Sequence, residues 1–352
     1  MKIRVNKKRW YLTILNVILV ALALICVLIF SNISGTLNTI QTAGRWKGSS
    51  DMRFAQIGCF LPVDAPKTEE DIFIFRRTLD QKLIDASLEA PEGGSLYTDA
   101  YSGTSKLTVT GDHGQAEVEA IGVGGNFFLF HPLQLRSGSY IFETDFMQDR
   151  VILDEGLAWQ LFGGADVAGM TVIIQQQTFQ VAGVIQRESD FASQEALHEL
   201  PMMFMSYSAF EALTEEGITS YEIVMPDMIS GFAQSIVSEN FDLGSGDLVE
   251  NSSRYSLQNL FHVIGDFGHR SMRNNGVIYP YWENAVRLTE DYLALLVILI
   301  ILLGLLPAVC ILVWSVRSVI RCYRTAARKI PERAEAVRER RREEKYAKSG
   351  EK

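Results

Sequence analysis

Two long apolar runs, one near each end of the chain, dominate its hydrophobic pattern. The first extends from Trp10 to Phe30 with polar side chains only near its start, and the second, from Leu293 to Trp314, has no charged side chain. At about 1.5 Å per helical residue, each run is long enough to cross a hydrocarbon core of about 30 Å. The pattern therefore predicts two transmembrane helices, over residues 10–30 and 292–316, with a region of mixed pattern between them.

The first run has a cleaved signal peptide as its alternative, because such peptides also place basic residues ahead of an apolar segment. A signal peptide usually has an apolar segment of about 7 to 15 residues, which this run exceeds. No small-x-small cleavage site follows Phe30. Both observations favour a retained membrane anchor.

Charge is distributed unevenly along the 352 residues, whose net charge is -9. Residues 1–30 hold five basic and no acidic side chains, residues 317–352 hold 13 basic and 6 acidic ones, and the stretch between holds 15 basic and 36 acidic ones. The positive-inside rule then predicts both termini in the cytoplasm and residues 31–291 outside, in the plasma (inner) membrane of a bacterium. So acidic an exterior argues against binding to nucleic acid.

The region between the spans changes its period twice. Residues 54–63 have the pattern of a strand, and Thr68 followed by the acidic residues 69–71 is a start signal for an amphipathic helix that ends before Pro91. From about 97 to 190 the period is two, typical of strands, and beyond 200 strands again alternate with helices. We therefore predict an α+β fold, in which an α/β subdomain within residues 31–246 is interrupted by a β-rich one at about 97–190.

Residues 122–184 carry a more specific set of positions. An Asn-Phe-Phe turn precedes a Leu-rich step, an Ala-x-x-Leu-Phe-Gly helix end follows, and a Phe-x-Val-x-Gly return closes a hairpin. The positions are Asn126, Phe127, Phe128, Gly138, Ala158, Leu161, Phe162, Gly163, Gly169, Phe179, Val181 and Gly183. This stretch resembles the periplasmic core domain of MacB-like and FtsX-like permeases of the ABC transporter superfamily. We interpret each position as core or turn, with Gly163 or Gly164 as a left-handed helix cap.

The resemblance implies an extracytoplasmic MacB-like core domain between two membrane helices. It also implies a non-catalytic membrane subunit, a separate ABC ATPase and another permease subunit, because family permeases typically have four spans and this sequence shows two. One departure is Ser139, where many relatives have an arginine after the glycine. A homo-oligomer is left open.

The segments next to the membrane leave further alternatives open. Within the juxtamembrane segment 247–291, Leu257, Leu260, Phe261, Ile264 and Phe267 or Gly268 approximate a helical stripe, which suits either an interfacial helix or packing against the ectodomain. The basic tail, residues 317–352, is predicted to be helical up to a break at Pro331. Its arginines at three- to four-residue spacing, Arg317, Arg321, Arg324 and Arg328, suit membrane lipid or an acidic cytoplasmic partner.

Signals for catalysis are missing from the sequence. No Walker A loop, HExxH motif or GxSxG motif occurs, so we expect no enzyme, cofactor or metal site. Cys59 is the one cysteine between the predicted spans, and a buried structural role is the alternative to a disulfide between chains. Two functions remain: a subunit of an ABC-type transport or mechanotransmission complex, or a stand-alone extracytoplasmic binding or sensory protein that signals through its basic tail.

Overall fold

A computed structural model of the chain describes residues 7–48, 50–88, 90, 94–197, 199–267 and 276–349, and its side-chain description leaves out residues 8, 9 and 328–349. Of the residues singled out above, Gly268 and the Arg328 side chain lie outside this description. The described helices are α1 Lys7–Ser34, α2 Thr42–Lys47, α3 Glu69–Asp85, α4 Phe127–Phe130, α5 Glu155–Phe162, α6 Phe191–Ala196, α7 Tyr207–Thr214, α8 Phe232–Asn240, α9 Leu257–Asp266 and α10 Tyr281–Ser349. The described strands are β1 Phe54–Phe60, β2 Thr98–Gly111, β3 Gly114–Gly125, β4 Leu135–Gly138, β5 Arg150–Asp154, β6 Thr171–Ile174, β7 Gln177–Ile185, β8 Met202–Ser206, β9 Ser220–Pro226 and β10 Asp247–Glu250.

The chain divides into two units, residues 31–295 and residues 1–30 together with 296–352. The second of these units holds most of the apolar length of α1 and α10. Both helices contain a stretch long and apolar enough to cross a membrane, Trp10–Ser34 and Tyr281–Ala327. Large apolar side chains such as Leu28 and Leu312 are well exposed along them, as expected for helices that meet lipid rather than water.

All ten described strands join one sheet in the order β10-β1-β9-β2-β3-β8-β5-β7-β4, with β6 paired to β2 and β7. The long β2–β3 hairpin turns at residues 112 and 113, between Gly111 and Gly114. β3 pairs in parallel with β8, and β2 pairs antiparallel with β9. The sheet therefore runs without interruption from the β-rich block at 97–190 into the strands on either side of it.

Alternate residues of the central strands enter two hydrophobic clusters, as the two-residue period of a strand requires. In β8, Met203 and Met205 belong to the cluster that includes the buried residues of α3, α5, α7 and α8. Met202 and Phe204 belong to the cluster that includes α4, α6 and the first turn of α10. One sheet with helices on both faces is the architecture that positions the site described below.

Local signals set several helix ends. Thr68 caps α3: its hydroxyl accepts from the backbone N–H of Asp71, and the Asp71 carboxylate accepts from the backbone N–H of Thr68, a reciprocal capping box. Gly163 ends α5 in the left-handed conformation at φ 76°, which agrees with the cap expected from the sequence.

The break predicted at Pro331 is wrong, because α10 continues through that residue to Ser349. A proline inside a helix removes one backbone hydrogen bond. The flanking residues are mostly alanine, arginine, glutamate and lysine, which favour a helix strongly. Their combined preference outweighs the single lost hydrogen bond.

Candidate functional site at the start of the last helix

The first three turns of α10 carry two buried carboxylates on one side. Glu283 and Glu290 are seven residues apart, close to two helical turns. Arg254, in the loop between β10 and α9, reaches both: its Nη2 lies 2.6 Å from Glu283 Oε1, its Nη1 lies 2.7 Å from Glu283 Oε2, and its Nε lies 3.0 Å from Glu290 Oε1. All three side chains are at most 4% exposed. We call Arg254, Glu283 and Glu290 the arginine clamp.

Neighbouring amides complete the arginine clamp. Arg254 Nη1 donates to Asn251 Oδ1 at 2.9 Å, and Asn259 Nδ2 donates to Glu290 Oε1 at 3.1 Å and to the Arg254 carbonyl at 2.6 Å. Buried charges are stable only when they are paired and hydrogen-bonded, and this network meets both conditions. It fastens the β10–α9 loop and α9 to the first turns of α10.

Burial and the neighbouring charges shift the pKa values of the side chains in the arginine clamp. Burial raises the pKa of the Glu283 carboxyl above its usual value, Arg254 opposes that rise, and Glu290 adds to it. Burial alone would lower the pKa of Arg254, but the two carboxylates outweigh it and raise the pKa above its usual value. The guanidinium therefore stays charged and contacts both carboxylates directly.

A second group of side chains holds the same helix from another direction. Trp282 is buried, with its ring centroid 5.5 Å from that of Phe127 and 4.5 Å from that of His131. His131 Nε2 lies 2.5 Å from Glu222 Oε2 of β9. The start of α10 is thus fixed to α4 and, through His131, to the central strand β9.

Glu188 lies beside this group and hydrogen-bonds the Tyr281 side chain. Burial, and then Asp190, raise the pKa of the Glu188 carboxyl above its ordinary value of 4.5. A raised pKa means that the folded state holds the proton more tightly than the unfolded state does. Stability is then lost as pH rises from 4.5 through the raised pKa.

We expect Glu188→Gln to stabilise the protein at pH 7, because it removes this partly buried charge and keeps a hydrogen-bond acceptor for Tyr281. Thermal unfolding in detergent should show a rise in Tm of about 1 to 3 °C at pH 7, and the difference should shrink toward pH 4.5. Glu117→Gln, on the exposed side of β3, is the matched control and should change little. A fall in Tm for Glu188→Gln at pH 7 would contradict this account.

The structure places the sequence-selected residues of the Asn-Phe-Phe turn directly against this group. Asn126 precedes α4 and donates from Nδ2 to Thr98 Oγ1 at 2.8 Å. Phe127 is buried between His131 and Trp282, and Phe128 stacks on Tyr140 with centroids 4.7 Å apart. The Asn-Phe-Phe turn therefore forms one side of the pocket in which the Trp282 side chain is buried.

Two of the selected glycines are brought together where β4 meets β7. Gly138 pairs with Gly183, and a Cβ on Gly138, at φ 75°, would lie 2.1 Å from the Ala182 carbonyl oxygen. A Cβ on Gly183 would lie 2.7 Å from the Ser139 carbonyl oxygen. The strands approach so closely here that neither position has room for a side chain.

The remaining selected positions are structural and lie apart from the arginine clamp. Ala158, Leu161, Phe179 and Val181 are buried in one hydrophobic cluster, with Phe162 packed against it, and the backbone N–H of Gly169 donates to the Val181 carbonyl at 2.7 Å. In the tail, the side chains of Arg317, Arg321 and Arg324 are exposed on α10.

A cleft of about 610 Å³ lies beside β2, β3 and the segment just ahead of α10. Its lining combines apolar side chains, among them Val63, Leu200 and Ile278, with charged ones. The charged lining residues are Lys106, Glu117, Glu119, Glu199 and Glu216. Among the described residues, the carboxylates of Glu117, Glu199 and Glu216 are exposed and form no ion pair. The cleft therefore suits a ligand that is cationic and partly apolar.

Among the described residues, no group of three or more His, Cys, Asp or Glu side chains is arranged to hold a metal ion. In the sequence, Arg254 is one of several basic residues ahead of the second span and belongs to no recognisable motif. Its two partners lie 29 and 36 residues away. The one local signal available was the seven-residue spacing of Glu283 and Glu290.

Comparison with known proteins gives one family match. A family model described as the MacB-like periplasmic core domain matches residues 12–231. The periplasmic region of MacB from Actinobacillus actinomycetemcomitans is 16% identical, with 61% of this chain and 94% of that chain covered and a TM-score of 0.42. The extracellular domain of the noncanonic ABC-type transporter YknZ from Gram-positive bacteria is 15% identical, with 56% and 100% covered and a TM-score of 0.37. No curated protein matches the chain.

Proposed function

The chain belongs to the family of the MacB-like periplasmic core domain, and from that membership we propose that it is a non-catalytic membrane subunit of an ABC-type transport or mechanotransmission complex. A separate ATPase hydrolyses the ATP in this proposal, and another permease subunit completes the membrane part. We further propose a bacterial plasma (inner) membrane location with both termini in the cytoplasm and residues 31–291 outside.

The observation that carries this proposal is the continuity of α10, a single helix that links the ectodomain core to the basic tail. One continuous helix, Tyr281–Ser349, begins with side chains in the ectodomain core, continues through the apolar run and ends in the basic tail. Because Glu283 and Trp282 are held by buried contacts, the first turns of α10 move with the sheet. The exposed Arg317, Arg321 and Arg324 form the face that we propose contacts an acidic surface of the ATPase.

Purification of the tagged full chain from its host in mild detergent, followed by mass spectrometry, tests this function. We expect an ABC ATPase and a second membrane subunit in near-equal amounts. The triple substitution Arg317→Gln, Arg321→Gln and Arg324→Gln should reduce ATPase recovery by about tenfold, since each exposed ion pair contributes up to about 1 kcal/mol. Lys82→Gln, Arg136→Gln and Arg150→Gln, three exposed ectodomain charges, form the matched control. Recovery of the protein alone, under conditions that keep a known transporter of the host intact, would refute the proposal.

The cleft favours a second function, that of a stand-alone extracytoplasmic binding or sensory protein. Its volume of about 610 Å³ is in the range of ligand sites, and its unpaired carboxylates offer complementarity to a cation. In that case the clamped start of α10 would carry the ligand state toward the basic tail. Recovery as a homo-oligomer without an ATPase is the outcome that would favour this function.

A further inference from the structure

Three large apolar side chains of the ectodomain are exposed next to one turn of α10. Phe191 at the start of α6 is 58% exposed, and Leu257 and Phe261 of α9 are 61% and 52% exposed. Single exposed apolar side chains are ordinary on protein surfaces. These three are unusual because the helices that carry them, α6 and α9, both contact the same turn of α10.

Two side-chain contacts fix the position of these residues along α10. Asn259, between Leu257 and Phe261 in α9, donates to Glu290 at 3.1 Å, and the Phe191 ring lies 5.6 Å from the Tyr292 ring. Glu290 and Tyr292 lie three residues and one residue ahead of the apolar run that begins at Leu293. Three helical residues rise about 4.5 Å, so both helices lie within one turn of that run.

The pattern of α9 explains why a second surface is needed. Leu260 and Val263 are buried against the ectodomain, while Leu257 and Phe261, one turn apart, face outward. Gln258 and His262 are exposed on a third side. The inward face accounts for the packing of α9 in the ectodomain and leaves the outward apolar face unexplained. Helices with an apolar face and a separate polar face are typical of the membrane interface.

We propose that Phe191, Leu257 and Phe261 form a lipid-binding rim, which inserts into the interfacial layer of the outer leaflet around α10. The occupant is lipid rather than a protein partner because the contacts of α9 with Glu290 and of Phe191 with Tyr292 place the rim within one turn of the apolar run of α10. The interfacial layer is about 5 to 7 Å thick on each side of the hydrocarbon core, which matches the one-turn separation. This inference rests on the proposed membrane topology, with α10 crossing the membrane and residues 31–291 outside, and is independent of any ATPase.

Fluorescent labelling of the full chain in lipid nanodiscs tests the lipid-binding rim. Cys310 and Cys322 are replaced by serine, and the buried Cys26 and Cys59 are kept. Burial raises the pKa of the Cys59 thiol well above its usual value, so a maleimide does not label it. A single new cysteine, Leu257→Cys or Phe261→Cys, then carries an environment-sensitive nitrobenzoxadiazole dye. The matched control is Ile173→Cys, a 48% exposed position on β6, which pairs with the far end of β2 from Thr98.

Nanodiscs of phosphatidylethanolamine and phosphatidylglycerol, with and without lipid spin-labelled near the headgroup, give the readout. We expect dyes at residues 257 and 261 to lose about half of their emission to the spin-labelled lipid, while the dye at residue 173 is unaffected. Phe191→Cys provides a third reporter on the other helix. Quenching at 257 and 261 no greater than at 173 would overturn the proposal. Blue-shifted emission without quenching by lipid would also overturn it and would identify a protein contact.

Discussion

Replacing Arg254 with methionine should lower the free energy of unfolding by about 3 to 5 kcal/mol, because it leaves two buried carboxylates without their cation. Glu283 and Glu290 are each about 3% exposed and cannot turn to water without moving the start of α10. Methionine keeps the length of the aliphatic part of arginine, so that loss of charge dominates over loss of volume. Chemical or thermal unfolding of the full chain in detergent measures the change.

Two comparisons separate the lost charge from a general effect of substitution. Arg136→Met removes an exposed arginine whose Nε lies 3.7 Å from Glu155, and it should cost less than about 1 kcal/mol. The triple variant Arg254→Met, Glu283→Gln and Glu290→Gln removes all three charges and should recover much of the loss. If the triple variant were as unstable as Arg254→Met alone, the ion network would not be the source of the effect.

The Arg254→Met variant should also depend on pH in a defined direction. Without the guanidinium, burial and Glu290 act unopposed by Arg254 and raise the pKa of Glu283 further above its ordinary value of 4.5. The folded state then binds more protons than the unfolded state between 4.5 and the raised pKa, so stability falls as pH rises through that window. The deficit relative to the unsubstituted protein should therefore shrink on going from pH 7 to pH 5.

Gly138→Ala should be the most damaging single methyl group that can be added to the sheet. Its Cβ would lie 2.1 Å from the Ala182 carbonyl oxygen and 2.6 Å from Gly183 Cα, both backbone atoms that no rotamer change can move. Residue 138 also has φ 75°, where a side chain costs roughly 1 to 2 kcal/mol. Together with overpacking of about 1 to 3 kcal/mol, we expect a loss of about 3 kcal/mol or more.

Two other glycines provide graded controls for Gly138→Ala. Gly169 has φ 89°, and no atom lies within 4 Å of the position that an alanine Cβ would occupy. Gly169→Ala therefore tests the cost of the backbone conformation alone. Gly164 has neither the positive φ nor a close neighbour, and Gly164→Ala should be nearly neutral. Thermal unfolding should rank the three variants in the order 138, 169, 164. Equal losses at 138 and 169 would show that the approach of β4 to β7 is not tight.

Features that depend on residues close together along the chain could be predicted from the sequence. The two apolar runs, the helix start at Thr68 and the glycine cap at residue 163 or 164 depend on residues that are neighbours along the chain. The structure has helices over both runs, starts α3 after Thr68 and places the cap at Gly163. The stripe through Leu257 and Leu260 was also found, but not which side faces the core. Leu260 is buried and Leu257 is exposed, so the Leu260 side packs against the core, and an interfacial role for the Leu257 side stays a prediction.

Pairings between distant residues left no trace in the sequence pattern. Periodicity identifies a strand but carries no information on its neighbours, so the insertion of β9 between β1 and β2 could not be predicted. The arginine clamp could not be predicted from the sequence either, because an arginine ahead of a membrane span ordinarily faces lipid headgroups or water. Its burial depends on a cavity built by α9, the β10–α9 loop and α10 together.

The position of β1 in the sheet bears on how the protein is made. β1 lies between β9 and β10, and Phe54 is paired with Pro226, a partner synthesised 172 residues later. At about 5 to 20 residues per second, that delay is roughly 9 to 34 s. During this time both edges of β1 lack their partner strands, because β9 and β10 are not yet synthesised. Exposed strand edges recruit other chains, so we expect β1 to need a chaperone until β9 and β10 pair with it.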